Sequence, residues 1–108
     1  MSESAIQKII AKKLRKAGFL VTTMPAPSGW PDIRAFGGLR TILIEVKRES
    51  KKASPLQEVM MQKFKDAGAE VYLMDNIYMV DDVISMTLSD VVEMRMNEIS
   101  DNNTDMDT

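Results

Sequence analysis

Two acids and a lysine stand at the ends of two runs that otherwise read as the strands of a hairpin. Asp32 opens the run Asp32-Ile33-Arg34-Ala35-Phe36, and Glu45 and Lys47 close the run "LRTILIEVK". Gly37-Gly38 reads as a two-residue turn, which pairs Phe36 with Leu39 and sets Asp32 opposite Leu43. Side chains alternate along a strand, so Asp32, Arg34 and Phe36 share one face with Leu43, Glu45 and Lys47. The other face collects Ile33, Ala35, Ile42, Ile44 and Val46. Asp32 and Glu45 become diagonal neighbours, with Cβ atoms roughly 7–8 Å apart. Two such carboxylates can bridge a divalent cation through oxygen ligands, and Lys47 stands beside them where its ammonium can meet a water or a phosphate. The same pattern also describes a solvated strand face with a Glu45–Lys47 ion pair. Strand geometry alone leaves both readings open.

The residues that are absent narrow the chemistry. The 108-residue chain contains no cysteine and no histidine. A thiol nucleophile, a disulfide framework, a thiolate or imidazole metal site and the Ser-His-Asp machinery are therefore excluded. Hydrolytic chemistry would have to run on carboxylates, lysine and a hard cation such as Mg²⁺ or Mn²⁺. The net charge is only −2, but 11 of the 14 Lys/Arg residues lie in residues 1–52 and 12 of the 16 Asp/Glu residues in 53–108. That asymmetry points to an anionic partner on one face. Ordinary solvated helix faces account equally well for Lys8, Lys12, Lys13, Arg15 and Lys16. No apolar run approaches the ~20 residues needed to span a bilayer and no signal peptide is visible, so no membrane partner and a cytoplasmic location are expected.

The elements that must position these residues are legible in outline. Ile6, Ile9, Ile10, Leu14 and Ala17 predict a helix over 4–17, with Gly18 as its stop. "FLVTTM" reads as a strand ended by the Pro/Gly-containing loop "PAPSG". Ser54-Pro55-Leu56-Gln57 is a helix start with a capping box, and that helix runs to about Ala67, where Gly68 ends it. "EVYLMD" is a further strand, expected to lie parallel to "TILIEVK" because a helix separates the two. Residues 80–99 read as mostly helical with a break near Ser89-Asp90, capped by Asp90 and Glu93. Residues 100–108 read as a frayed acidic tail. The expectation is one α/β domain over residues 1–99, a mixed sheet flanked by helices. The ten methionines read mainly as core filler.

Pro31-Asp32 followed by Glu45-Val46-Lys47 resembles the PD-(D/E)xK nuclease signature. With the surrounding "ESAIQKIIAKKLRKAGFLV", "GWPDI", "LIEVKRESKKASPLQ" and "DAGAEVYLMDN", the chain resembles the VRR-NUC (virus-type replication-repair nuclease) family over roughly residues 3–88. The resemblance implies a restriction-endonuclease-like αβββαβ core. It implies Asp32 and Glu45 as metal ligands, with the backbone carbonyl of Val46 as a third contact and Glu3, from the first helix, as a further ligand through water. Glu3 reads equally as an acid favoured by the helix N-terminus. Lys47 would orient water or neutralise charge on the phosphate, and Gln57 would border the catalytic set as well as cap its helix; Gln7 is a weaker candidate of that kind. Arg48, Lys51 and Lys52 would meet DNA phosphates, or simply carry solvated loop charge. Trp30 would stack on a base or pack against the sheet.

The function so implied is an Mg²⁺- or Mn²⁺-dependent DNA endonuclease, structure-selective for four-way or branched DNA and acting as a homodimer, with a phage or mobile element as its home. A non-catalytic nucleic-acid-binding or assembly module that keeps the fold is the alternative.

Overall fold

Ile6, Ile10 and Leu14 recur on one side of α1 (Glu3–Lys16) and are buried, and Ser2 caps the helix by accepting from the Ala5 N–H. The helix stops at Gly18, which adopts φ +99°, a left-handed conformation open to glycine at little cost. The computed structural model describes residues 1–106, with side chains through Asp101. After α1 come β1 (Leu20–Thr22), β2 (Ile33–Gly37), β3 (Arg40–Val46), α2 (Pro55–Asp66), β4 (Glu70–Met74), α3 (Met79–Ser85) and α4 (Leu88–Met106). The four strands form one mixed sheet in the order β1-β2-β3-β4, antiparallel except for the parallel β3–β4 pair. This is the expected α/β core with a helical C-terminal segment.

The two sheet faces differ as the alternation predicts. Ile33, Ala35, Ile42, Ile44 and Val46 join Ile6, Ile10 and Leu14 of α1, Met74 of β4, and Val80 and Val83 of α3 in the main core. The opposite face carries a smaller cluster of Leu43, Ala69 and Val71, covered by Met61 and Phe64 of α2. Asp32, Glu45 and Lys47 belong to this second face.

The hairpin register differs from the sequence reading by two residues. Gly37 pairs with Arg40 and Arg34 with Leu43, so the turn is Gly38-Leu39, with φ +56° and +64°. Both positive angles define a type I′ turn, in which Leu39 takes a left-handed conformation and stands 92% exposed. Gly37 lies in the strand instead, where a Cβ would press on the Phe19 ring at 3.0 Å. An even shift preserves which residues share a face. It also moves Asp32 from opposite Leu43 to opposite Glu45.

Arg40 and Glu70 lie buried on the core face, unforeseen from sequence. Their side chains form a bidentate pair, Nε to Oε2 at 2.8 Å and Nη2 to Oε1 at 2.7 Å. The guanidinium also donates to the carbonyls of Val83 and Met86, and the Tyr72 hydroxyl donates to Glu70 at 2.6 Å. Every charge there is partnered, as burial demands.

The C-terminal helices break at Met86-Thr87, earlier than the Ser89-Asp90 boundary read from sequence. The cap is reciprocal: the Asp90 N–H donates to the Thr87 hydroxyl, and the Thr87 N–H to the Asp90 carboxylate. Glu93 takes no part. Helix continues to Met106, past the boundary at residue 99 where the sequence reading placed a frayed tail; Asp107 and Thr108 lie outside the described residues. No described helix is long and apolar enough to cross a membrane.

Candidate active site

The segment before Asp32 is held in place by contacts that have nothing to do with charge. Gly29 sits at φ +85°, where a Cβ would lie 2.7 Å from Leu56 Cγ, so the backbone can lie directly on α2. The Trp30 ring meets Phe64 edge-on, with centroids 4.9 Å apart, which makes it a packing residue. Pro31 is fully buried. Arg34, on the same face as Asp32, donates to the carbonyl of Pro31 at 2.8 Å and to that of Met24, tying together the two ends of the segment. Sequence reading assigned Arg34 no role; its signal was its position two residues from Asp32.

Asp32 is fixed by a 2.9 Å hydrogen bond from the Val46 N–H to its Oδ2. That bond ties it across the hairpin to the residue after Glu45. Glu45 is 2% exposed. Its Oε1 accepts from Gln57 Nε2 at 2.7 Å and lies 3.7 Å from Lys47 Nζ. Its Oε2 is buried with no hydrogen-bond partner. Burial, and then the neighbouring Asp32 carboxylate, push Glu45 up to about 7, while Lys47 opposes the rise.

Gln57 caps its helix and also touches Glu45. Its Oε1 accepts from the Ser54 N–H at 2.9 Å, and Ser54 Oγ accepts from the Gln57 N–H, completing the capping box. With its oxygen so engaged, the amide must present its NH₂ to Glu45. The helix cap thereby sets the rotamer of a residue that touches the buried carboxylate.

The other candidates scatter. Glu3 begins α1, which Ser2 caps, and accepts from the Arg48 N–H at 3.3 Å. No group of three or more acids comes together to hold a metal among the described residues, so Glu3 does not complete a cluster with Asp32 and Glu45. Arg48 and Lys51 are exposed at the bend after β3. Lys52 lines a different cleft, with Glu58, Met61 and Leu73. Asp32, Arg34, Gln57 and Gln7 line a cleft of about 260 Å³ whose wall is the segment from Thr23 to Pro31. A larger cleft of about 610 Å³, between α2 and α4, holds none of the candidate residues.

The donor set fits a divalent cation. Two carboxylates converge from opposite strands, and a buried oxygen lacks a partner that a hard cation would supply.

A solved structure described as a VRR_NUC domain superposes with a TM-score of 0.67 at 27% identity, over 76% of this chain and 92% of that one. The chain has the fold of a VRR_NUC domain. A second structure, described as a VRR_NUC domain protein, has the same fold at a TM-score of 0.63 and 19% identity, over 79% of this chain and 84% of that one. No protein-family model and no curated protein matches the sequence. The VRR-NUC nuclease fold thus accounts for the element order, and Asp32, Glu45 and Lys47 occupy the hairpin face that the sequence pattern marked.

Proposed function

We propose that this VRR-NUC domain is an Mg²⁺- or Mn²⁺-dependent DNA endonuclease, with Asp32 and Glu45 as metal ligands. The observation that carries the reading is Glu45. A carboxylate 2% exposed, with one oxygen unpartnered and a second carboxylate beside it, is costly for a protein that never binds a cation there. A binding module without turnover has no use for that arrangement. When bound, the ion supplies Lewis-acid polarisation of the phosphate and activation of water.

The chain's own residues do the rest. The Val46 N–H holds Asp32, and Gln57 holds Glu45. Lys47 brings a positive charge to the same face, where it orients water or offsets charge developing on the phosphate. The carbonyl of Val46 is a third candidate ligand, and Glu3 a candidate through water. Metal-dependent nicking of supercoiled plasmid tests the reading. Asp32→Asn and Glu45→Gln should each abolish nicking in a folded protein, and undiminished activity in either sinks the site.

The assembly proposed is a homodimer that cuts paired strands of a four-way or branched DNA. Its support is an exposed apolar stripe on α4, where Leu88, Val92, Met96 and Ile99 fall at helical spacing and are 40–59% exposed. A twofold dimer would present two sites to two strands. Light scattering at micromolar concentration decides it: a monomer mass with full junction cleavage refutes the dimer.

A further inference from the structure

A cleft of about 320 Å³ runs along α1 and is lined by Gln7, Lys8, Ala11, Lys12, Arg15 and Thr23. It shares Gln7 and Thr23 with the cleft that holds Asp32, so the two lie side by side. Lys8, Lys12 and Arg15 recur at i, i+4 and i+7, which lines them along one side of the helix over roughly 10 Å of its axis. All three are exposed, and none forms an ion pair among the described residues.

An ordinary solvated helix face interleaves acids at these spacings, and α1 has none after Glu3, whose carboxylate faces the Arg48 N–H. Lys13 shows what a structural lysine on this helix does. It donates to the Ile77 carbonyl at 2.8 Å, pairs with Asp81 and lies over the Tyr78 ring, fastening α3. The three groove cations have no such duty beyond one long bond from Arg15 to the Val21 carbonyl. Arg48, Lys51 and Lys52, the cations favoured by sequence, line neither cleft.

We infer that this groove carries the DNA backbone to the site: Lys8, Lys12 and Arg15 hold phosphates of the strand whose scissile phosphate lies at Asp32 and Glu45. The identity of the ligand rests on the nuclease reading, while the location of the surface rests on three exposed cations without an ion pair, aligned on α1 beside the cleft that Asp32 lines.

The test is fluorescence anisotropy with a short fluorescein-labelled DNA duplex in Ca²⁺ across a salt series, with cleavage of the same duplex and of a four-way junction in Mg²⁺ and in Mn²⁺ read in parallel. Each phosphate contact contributes about −0.9 to the slope of log K against log salt, so Lys8→Ala/Lys12→Ala/Arg15→Ala should flatten the slope by about 3. Lys8→Gln/Lys12→Gln, which leaves the Arg15 bond intact, should flatten it by about 2. Lys63→Ala/Lys65→Ala, on α2, should leave it unchanged. An unchanged slope in both groove variants overturns the inference and leaves the nuclease reading standing if the wild type still cuts. Flattening without any wild-type cleavage sustains the groove and removes the nuclease reading. A wild type that binds no DNA overturns both.

Discussion

Glu45→Gln should stabilise the metal-free protein, and the size of the gain follows from the site. Glu45 is 2% exposed, its Oε2 has no partner, and Asp32 lies across the hairpin from it. Burial and that neighbour raise its folded pKa to about 7 from its ordinary value of 4.5. A carboxyl whose folded pKa lies above its unfolded value binds more protons in the folded state between those two pH values. Stability is therefore lost as pH rises from about 4.5 through about 7, and the loss is complete above that window. At 1.36 kcal/mol per unit the full loss is roughly 3 kcal/mol. Glutamine keeps the shape and can still accept from Gln57, while its NH₂ can donate to Asp32, so the charge penalty goes and the contacts stay. In EDTA at pH 8 the variant should melt on the order of 10 °C above wild type. At pH 4.5 the two should melt together. Saturating Mg²⁺ or Mn²⁺ should close the gap at pH 8 from the other side, because an ion at 100 times its Kd stabilises the wild type by about 2.7 kcal/mol. Differential scanning calorimetry with and without EDTA makes the comparison. A variant that melts at or below wild type in EDTA at pH 8 would falsify the account of Glu45.

Lys47→Ala should leave metal affinity largely intact and slow single turnover by about 10²–10³-fold, as loss of one positioned charge at a reacting phosphate does. Titration calorimetry with Mn²⁺ beside single-turnover cleavage separates the two effects; collapsed affinity with an unchanged rate removes the role proposed for Lys47. Arg40→Met should destabilise the fold by roughly 3–5 kcal/mol, because it leaves Glu70 buried without its partner. Arg40→Met with Glu70→Leu should recover most of that in urea melts, and a double variant as unstable as the single would mean the pair is not what is lost. Leu39→Gly should raise stability by about 1 kcal/mol by relieving a left-handed leucine that touches little. An unchanged or lower urea midpoint would place the strain elsewhere.

The face assignment was legible because it depends only on parity. Ile33, Ala35, Ile42, Ile44 and Val46 had to share a face in any register that kept the acids out of the main core. The turn was misplaced because Gly37-Gly38 satisfies the local rule for a hairpin, and local rules do not register Phe19 closing over Gly37. The capping box at Ser54 and Gln57 could be read because it is a contact between near neighbours. The Gln57–Glu45 bond was reachable only through the resemblance. Arg40 and Glu70 had a signal that went unused. Arg40 falls in phase with Ile42 and Ile44, and Glu70 with Tyr72 and Met74, so opposite charges open two adjacent strands on the buried face. The placement of Lys52 apart from Lys8 and Lys12 was out of reach, since sequence proximity to Glu45 says nothing about which side of α2 a residue faces.

The division of labour between the two sheet faces explains how so small a domain can hold an unfavourable charge. The face toward α1 and α3 is filled by isoleucine, leucine and valine with almost no exposed surface, and it carries the stability. The face toward α2 is thinly covered, for no residue of α2 is fully buried. Asp32 and Glu45 are set on that second face by backbone and packing contacts: a strand N–H, a helix cap, a glycine laid on Leu56 and a tryptophan against Phe64. None of these contacts depends on a cation. The carboxylates are therefore held near one another before any ion arrives, and their mutual repulsion is borne by the opposite face. Loosening α2 should spread the acids apart before it unfolds the sheet. A Gly29→Ala variant makes that visible: its Cβ would stand 2.7 Å from Leu56 Cγ, so the segment before Asp32 must part from α2 or Leu56 must turn away, and divalent affinity should fall in titration calorimetry while the far-ultraviolet spectrum stays native. Retained affinity would mean that the pair is positioned by the hairpin alone.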